Sequence, residues 1–464
     1  MRAHTIAALL VGALLAVLGT AGTGGAHAAP DYADVPIQPL PVIVVPPELD
    51  AFYNAPADAI AGTPPGGIIK ARQITPAFLS VLPFNIDAWQ LLYRTDDSHG
   101  APIATVTTVL KPRGPAPADG LKLLSYQVAE DSTARYCAMS YVAQQGSIPV
   151  DYVNSAETAL AMLLGISQGW AVAIPDYEGP NSAYGAAILG GRATLDGIRA
   201  AENFAPLQLT AGDRTPVGLM GYSGGTIPTG WVAEHHGEYA PELNIVGASI
   251  GGVVMGDLKA VLRSNNANLG AGLIGAALHG FATEYPEVRN LLETRFDWFG
   301  RFMTSLKGML CHPQGSALFP FWNYLGSYTG AGDPLDIPEV SATLTAQELG
   351  KNVPDIPMYL YHAQNDEFIP NTGTDRVVEG YCRDPNARIT YTRELLAEHI
   401  SGIIGWLPDG YQFLIDRMNG VPVAQGCTIT SPVSTLTDGD FATLLGAKWP
   451  QLAALLTGYP LGAR

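Results

Sequence analysis

Residues 221–226 read Gly-Tyr-Ser-Gly-Gly-Thr (GYSGGT), with one glycine two positions before Ser223 and another two positions after it. This G-x-S-x-G pattern is typical of a serine held on a strained turn between a strand and a helix, where only small neighbours fit. The chain holds 52 glycines among 464 residues, so a single match is weak evidence. A second match, GASIG at 247–251, centres on Ser249. The surrounding sequence must decide between the two serines.

The segments on either side of Ser223 favour it as the residue of the turn. TPVGLMG (215–221) has the pattern of a buried strand, and TIPTGWVAEHH (226–236) has that of a helix. LNIVGASI (243–250) then reads as the next strand, with Ser249 buried in it. If Ser249 were on the turn instead, the strand and helix around Ser223 would need another explanation.

Strand and helix patterns alternate over most of the chain, which predicts an α/β fold with a mostly parallel sheet covered by helices on both faces. Besides the segments around Ser223, the predicted strands are AWQLLYRT (88–95), IATVTTVLKP (103–112), LKLLSYQVA (121–129), WAVAIPDY (170–177), IPMYLYHA (356–363) and ARITYT (387–392), and the predicted helices include TALAMLLGISQG (158–169) and ATLDGIRAAENF (193–204).

The alternation stops after Gly256, and residues 257–348 show helical patterns without a clear strand. We interpret them as a helical insertion between a first core part (68–256) and a second core part with the C-terminal segment (349–464). Its position alone leaves open a separate helical domain of unrelated function. The preceding residues 29–67 are rich in proline and predict an irregular arm.

The first 28 residues have the pattern of a secretory signal peptide. Arg2 precedes an apolar run from Ile6 to Leu18, shorter than the ~20 residues that a membrane span needs, and Ala26-His27-Ala28 forms a cleavage pattern. Four cysteines, at 137, 311, 382 and 427, suit an exported protein with two disulfides, for which three pairings are possible.

Composition excludes several functional classes. The 42 acidic and 25 basic residues give a net charge of −17, which argues against a nucleic-acid partner. The sequence has no C-x-x-C, H-E-x-x-H or Walker pattern, so neither a metal nor another cofactor is expected. We expect a monomer that acts on a small molecule.

A serine hydroxyl becomes a nucleophile when a histidine removes its proton and a carboxylate orients that histidine. In enzymes built on this turn the partners follow in the order Ser…Asp/Glu…His. Asp366 and Glu367 come just after a predicted strand, and His399 follows the last strand on a predicted loop. The other later histidines lie on the helix of Ser223, in the insertion, or within a strand. We therefore predict Ser223, Asp366 and His399 as the catalytic set.

Such chemistry also needs two backbone N–H groups that bind the developing oxyanion. One is predicted at Gly224, directly after the serine. The loop after the strand in YQVAEDS (126–132) is expected to supply the other, although the pattern does not say which residue.

Most of the chain after about residue 60 resembles the secretory lipase family. The resemblance rests on YQVAEDSTARYCAMSY (126–141), PDYEGPNSAYG (175–185), GYSGGT (221–226), YHAQNDEFIP (361–370) and EHISG (398–402). It implies an α/β-hydrolase core with a helical cap or lid that acts on carboxylic esters, including triacylglycerols. Lipid or ester substrates and a transient contact with lipid interfaces follow as expectations.

Carried over motif by motif, the resemblance gives Ser223 as nucleophile, Asp366 as acid and His399 as base. It also implies that the N–H of Asp131 is the second oxyanion donor. The implied disulfides are Cys137–Cys311 and Cys382–Cys427. The cap and C-terminal segment vary within the family, so acyl-chain preference does not transfer. An acyltransferase, a short-chain carboxylesterase and an inactive binding protein are the alternatives.

Overall fold

The computed structural model of the protein describes residues 44–210, 214–438 and 440–460. The predicted signal peptide (1–28) and the first part of the arm lie outside the described residues. From residue 44 to 67 the arm contains a single turn of 3₁₀ helix at Ala51–Tyr53 and a short helix, Ala57–Gly62. No helix among the described residues is long and apolar enough to cross a membrane.

A ten-stranded sheet forms the centre of the fold. In chain order the strands are β1 (Ile68–Ile74), β2 (Ala77–Phe78), β3 (Leu82–Pro83), β4 (Asp87–Asp96), β5 (Pro102–Lys111), β6 (Leu123–Gln127), β7 (Ala171–Pro175), β8 (Val217–Tyr222), β9 (Ile245–Gly251), β10 (Met358–Ala363), β11 (Arg388–Glu394) and β12 (Gly426–Thr430). The sheet order is β1-β4-β5-β7-β6-β8-β9-β10-β11-β12, and β2 and β3 pair separately. In this order every neighbouring pair from β7 through β6 to β12 is parallel. The pairs β1–β4, β4–β5 and β5–β7 are antiparallel.

Helices cover both faces of the sheet. In chain order the α-helices of the described residues are α1 (Ala57–Gly62), α2 (Met139–Val142), α3 (Tyr152–Ser167), α4 (Ala187–Glu202), α5 (Thr226–Tyr239), α6 (Leu258–Asn265), α7 (Ala271–Glu284), α8 (Pro286–Arg295), α9 (Trp298–Lys307), α10 (His312–Ala317), α11 (Pro338–Gln347), α12 (Asn371–Tyr381), α13 (His399–Met418) and α14 (Asp440–Thr457). Neighbouring residues of β8 point to opposite faces of the sheet and belong to different apolar clusters. Leu219 is in the cluster that contains α4 and α5, and Met220 is in the cluster that contains α3 and α13. The fold predicted from the alternating patterns is confirmed.

Most predicted elements differ from the observed ones only at their ends. Helix α3 begins six residues earlier than its apolar pattern because Asp151 caps it, its side chain accepting a hydrogen bond from the N–H of Asn154 (3.0 Å). The edge strand β12 was not predicted. Its exposed side chains lack the apolar alternation that marks a half-buried strand.

Six helices, α6–α11, lie between β9 and β10. The two ends of this insertion meet, because the N–H of Leu349 donates to the carbonyl of Met255 (2.9 Å) and the N–H of Leu258 donates to Glu348 (2.9 Å). Buried insertion residues, including Phe281 and Phe296, belong to the same apolar cluster as one face of the sheet. The insertion thus packs continuously with the core at the end of the sheet that carries Ser223.

Candidate active site

Ser223 lies on a tight turn between β8 and α5, with a left-handed backbone (φ 50°) that non-glycine residues rarely adopt. A Cβ on Gly221 would lie 2.6 Å from the carbonyl oxygen of Gly225, and a Cβ on Gly225 would overlap the carbonyl of Gln127. Both glycines of the motif are therefore required by close backbone approach. The turn presents the hydroxyl of Ser223 at the end of the sheet.

Three predicted side chains form one hydrogen-bonded line. His399 Nε2 lies 2.8 Å from Ser223 Oγ, and His399 Nδ1 lies 2.7 Å from Asp366 Oδ2. The other carboxylate oxygen of Asp366 accepts from the N–H groups of Phe368 (3.0 Å) and Ile369 (2.7 Å). These backbone donors fix the carboxylate, so its free oxygen faces the imidazole.

His399 is the first residue of α13, and the prediction that it lies on a loop was wrong. Glu398 caps this helix by accepting from the N–H of Ser401, while the Ser401 side chain bonds the N–H of Glu398. The N–H of His399 donates to Glu367 (3.0 Å), and its carbonyl accepts from the Tyr222 hydroxyl (2.7 Å). The helix cap and these two backbone bonds fix the position of His399.

The charges of this pair reinforce each other. Burial disfavours the imidazolium of His399, but the charge of Asp366 and its hydrogen bond outweigh burial, and the pKa of His399 is raised above 6.5. For Asp366, burial disfavours the carboxylate, but His399 and His362 stabilise it, and its pKa is lowered. Asp366 is therefore ionised in the pH range where His399 titrates.

His362 is a member of the site that sequence reasoning did not find. It is fully buried in β10, with Nε2 3.0 Å from the Ile369 carbonyl and 3.6 Å from Asp366 Oδ2. Its Nδ1 lies 2.9 Å from the Thr374 hydroxyl. Because Nε2 donates to the Ile369 carbonyl, this histidine fixes the segment 368–369, whose N–H groups hold Asp366. Its place four residues before Asp366 was the available signal.

The two predicted oxyanion donors are neighbours. A Cβ on Gly224 would overlap Oδ1 of Asp131, so a larger residue beside Ser223 would displace the Asp131 side chain. Asp131 is buried and has a left-handed backbone (φ 43°). Burial raises the pKa of its carboxyl group, although His312, Tyr184 and His399 act in the opposite direction.

The competing serine has a structural partner. Ser249 is fully buried in β9, and its hydroxyl accepts a hydrogen bond from the indole N–H of Trp406 (3.0 Å). It is therefore a packing residue of the strand next to β8.

The structure pairs Cys137 with Cys311 and Cys382 with Cys427, as the resemblance implied. Among the described residues, one group has three potential metal-ligand atoms close together: Cys137, Cys311 and Asp151. Both sulfurs are bonded to each other in the disulfide, so this group does not offer thiolate ligands.

Known proteins resemble this chain over most of its length. A family model described as secretory lipase matches residues 151–426. The chain belongs to the secretory lipase family. Lipase A of Arthroderma benhamiae is 35% identical over 431 residues, 90% of each chain. A Mycobacterium tuberculosis protein named a probable inactive lipase is 35% identical over 384 residues, covering 81% of this chain and 83% of that protein.

Solved structures agree with this family. The X-ray structure of Candida antarctica lipase A matches with a TM-score of 0.79 and 28% identity, covering 91% of this chain and 99% of that one. The Xanthomonas oryzae esterase LipA, at 16% identity and a TM-score of 0.57, shares the fold alone. This secretory lipase is thus an α/β-hydrolase and, by family, a carboxylic ester hydrolase.

Proposed function

We propose that this lipase is secreted and hydrolyses carboxylic esters of lipids through Ser223, His399 and Asp366. The observation that carries the proposal is the line of two hydrogen bonds, 2.8 and 2.7 Å, from the serine hydroxyl through the imidazole to the carboxylate. This is the arrangement that makes a serine nucleophilic at neutral pH.

In the proposed mechanism, His399 Nε2 accepts the proton of Ser223 as Oγ attacks the ester carbonyl carbon. The tetrahedral oxyanion accepts hydrogen bonds from the N–H groups of Gly224 and Asp131. His399 then protonates the leaving alcohol, and the acyl-enzyme remains on Ser223. Water, deprotonated by the same histidine, attacks the acyl carbon; the bond to Ser223 Oγ then breaks, His399 returns the proton to Oγ, and the acid is released. Asp366 stays ionised and stabilises the imidazolium.

We infer that residues 257–348 act as a cap over the acyl chain and touch lipid interfaces transiently. Three aromatic side chains of this segment are exposed to an unusual degree: Trp298 (72%), Phe302 (54%) and Phe321 (64%). Exposed apolar groups of this size suit contact with a lipid surface. With a net charge of −17, that surface is expected to be uncharged.

Three alternatives share the fold. An acyltransferase would use the same residues with an alcohol in place of water, and a short-chain carboxylesterase would lack an extended acyl pocket. An inactive protein is the third, since one relative carries that name. The hydrogen-bonded set at Ser223 favours an active enzyme.

The test combines an acyl-chain series with covalent labelling. Each acyl CH₂ buried against the cap contributes about 0.8 kcal/mol, so p-nitrophenyl octanoate should exceed butyrate in kcat/KM by up to ~10²-fold. Equal kcat/KM for acetate and octanoate would identify a short-chain esterase. Transfer to added alcohol in preference to water would identify an acyltransferase.

A fluorophosphonate should label Ser223, and Ser223→Ala should lower kcat by about 10⁴-fold or more. Ser249→Ala is the matched control, expected to keep the label. Labelling of Ser249 would refute the proposal, and absence of both label and activity in the native protein would indicate the inactive alternative. For secretion, the N-terminus of the exported protein should lie near Ala29.

A further inference from the structure

The loop that carries Asp131 lies between the core and the insertion. From the core, the Asn154 side chain donates to the carbonyl of Glu130 (2.8 Å), and Glu157 accepts from the N–H of Ala129 (3.1 Å). On the other side the loop meets residues 307–312 of the insertion. Since the backbone of Asp131 is left-handed and strained, contacts on both sides are needed to keep it in that conformation.

His312 at the start of α10 contacts this loop through both ring nitrogens and its backbone N–H. Its Nδ1 lies 3.2 Å from the carbonyl oxygen of Ala129, and because a carbonyl only accepts, Nδ1 carries the proton. Its Nε2 faces the carboxyl group of Asp131 at 3.9 Å. Its backbone N–H donates to the hydroxyl of Ser132 (3.0 Å), which in turn donates to the carbonyl of Glu130 (2.7 Å).

One residue of the insertion therefore contacts all four consecutive loop residues from Ala129 to Ser132, directly or through one hydroxyl. Further bonds follow along both segments. The Thr133 hydroxyl donates to the carbonyl of Lys307, the Tyr136 hydroxyl donates to that of Met309 (2.5 Å), and a disulfide joins Cys137 to Cys311. These bonds fix the position of the loop relative to the insertion, and His312 contacts the part of the loop nearest to Ser223.

We infer that His312 is a positioning residue for the oxyanion hole. It holds the Ala129 carbonyl and faces Asp131, so that the strained backbone of Asp131 keeps its N–H directed at the oxyanion. The inference rests on the proposed function, since it requires that the N–H of Asp131 binds the oxyanion. It also means that the insertion supports catalysis as well as covering the acyl chain. A displaced donor weakens transition-state binding and leaves ground-state binding nearly unchanged.

The test uses three variants of His312 and a matched histidine. His312→Ala should lower kcat by about 10- to 100-fold with KM changed by less than about twofold. The affinity for a trifluoromethyl ketone, which forms a tetrahedral adduct on the serine, should fall by the same factor. Since the oxyanion is common to all esters, the loss should be equal for butyrate and octanoate. His235→Ala is the control, because His235 also bonds a backbone carbonyl, that of Trp231 (2.9 Å), and lies on α5.

Rescue distinguishes positioning from general stability. In His312→Asn the amide nitrogen replaces Nδ1 and keeps the donor to Ala129, whereas in His312→Gln the amide lies farther out. We expect kcat of the Asn variant to exceed that of the Gln variant by about tenfold. This comparison also decides the question if His312→Ala does not fold.

Equal kcat for the two amide variants would overturn the inference. Unchanged ketone affinity in His312→Ala, or a loss that grows with acyl length, would overturn it too. Failure of the proposed function is recognised separately: either the native protein shows neither the fluorophosphonate label nor activity, or Ser223→Ala keeps its activity.

Discussion

At the residue scale, the environment of His399 gives the imidazole a higher proton affinity than that of a free histidine. Asp366 is held ionised by two backbone N–H groups and by His362 behind it. The negative charge stabilises the imidazolium, which is the form needed while the tetrahedral intermediate exists. A stronger base also stays protonated to a higher pH in the free enzyme.

We therefore predict that activity falls on the acid side with a midpoint above the free-histidine value of about 6.5. His399 must be neutral to accept the proton of Ser223, and its pKa is raised. The measurement is kcat/KM against pH for a soluble ester between pH 5 and 9. A midpoint below 6, or a flat profile down to pH 4, would contradict a buried histidine base paired with a carboxylate.

Also at this scale, sequence reasoning found the three residues of the hydrogen-bonded line because each follows the end of a strand. The C-terminal ends of parallel strands meet at one edge of a sheet, so residues just after β8, β10 and β11 are brought together by topology alone. Nothing in this rule indicates His312, which lies in the insertion, or His362, which lies within a strand.

At the scale of elements, the two disulfides join different kinds of neighbours. Cys382 follows α12, and Cys427 lies in the edge strand β12, so this bond joins a helix end to the edge of the sheet. The bond between Cys137 and Cys311 instead joins the segment after the loop that carries Asp131 to the residue before α10. Both constrain the unfolded chain, but only the second constrains the position of His312.

Replacing either pair by alanine should lower the free energy of unfolding by about 2–5 kcal/mol. We predict that Cys382→Ala/Cys427→Ala keeps kcat within about twofold, whereas Cys137→Ala/Cys311→Ala also loses kcat by about tenfold through the displaced loop. Urea unfolding and kcat measured on both double variants check this. Equal kcat in the two variants would show that the loop is held without the disulfide.

At the scale of the whole molecule, four buried acids lie in or near the loop that carries Asp131. Burial raises the pKa of Glu157 to about 8 and that of Asp176 to about 7, and it raises those of Glu130 and Glu178 well above their ordinary values. All four are almost fully buried. The native state therefore holds protons that the unfolded chain releases near pH 4–5.

A carboxyl group whose pKa is raised on folding stabilises the native state fully below its unfolded pKa, and this contribution is lost as pH rises through the folded pKa. The carboxyl groups with a lowered pKa, which include Asp366 and Glu398, are ionised in both states above about pH 5, so they do not change stability in this range. We predict that the free energy of unfolding falls between pH 5 and pH 9, most steeply up to about pH 7, where the unfolded carboxyl groups are ionised and the native ones still hold their protons. The fall becomes less steep above pH 7, because Asp176 and then Glu157 ionise in the native state as well. Calorimetry across this range tests it, and Glu157→Gln should flatten the curve. Greater stability at pH 9 than at pH 5 would contradict the assignment.

The sequence by itself determined the order of elements and the candidate catalytic residues. Strand and helix periods, and the glycines required around Ser223, are set by neighbours along the chain and can be read locally. The edge strand β12 was not predicted because its exposed side chains carry no burial pattern. The start of α13 at His399 was not predicted because Glu398, which caps this helix, is not among the usual N-cap residues.

Only the tertiary structure decided which distant residues meet. Cys137 and Cys311 are 174 residues apart, and the contact of His312 with Asp131 spans a similar length of chain. Four cysteines allow three pairings, and no local period distinguishes among them. Likewise, the raised pKa values of Glu130 and Glu178 arise from burial, which depends on the packing of the loop against the core and the insertion. Such contacts are fixed by the path of the chain in three dimensions, which local sequence patterns do not encode.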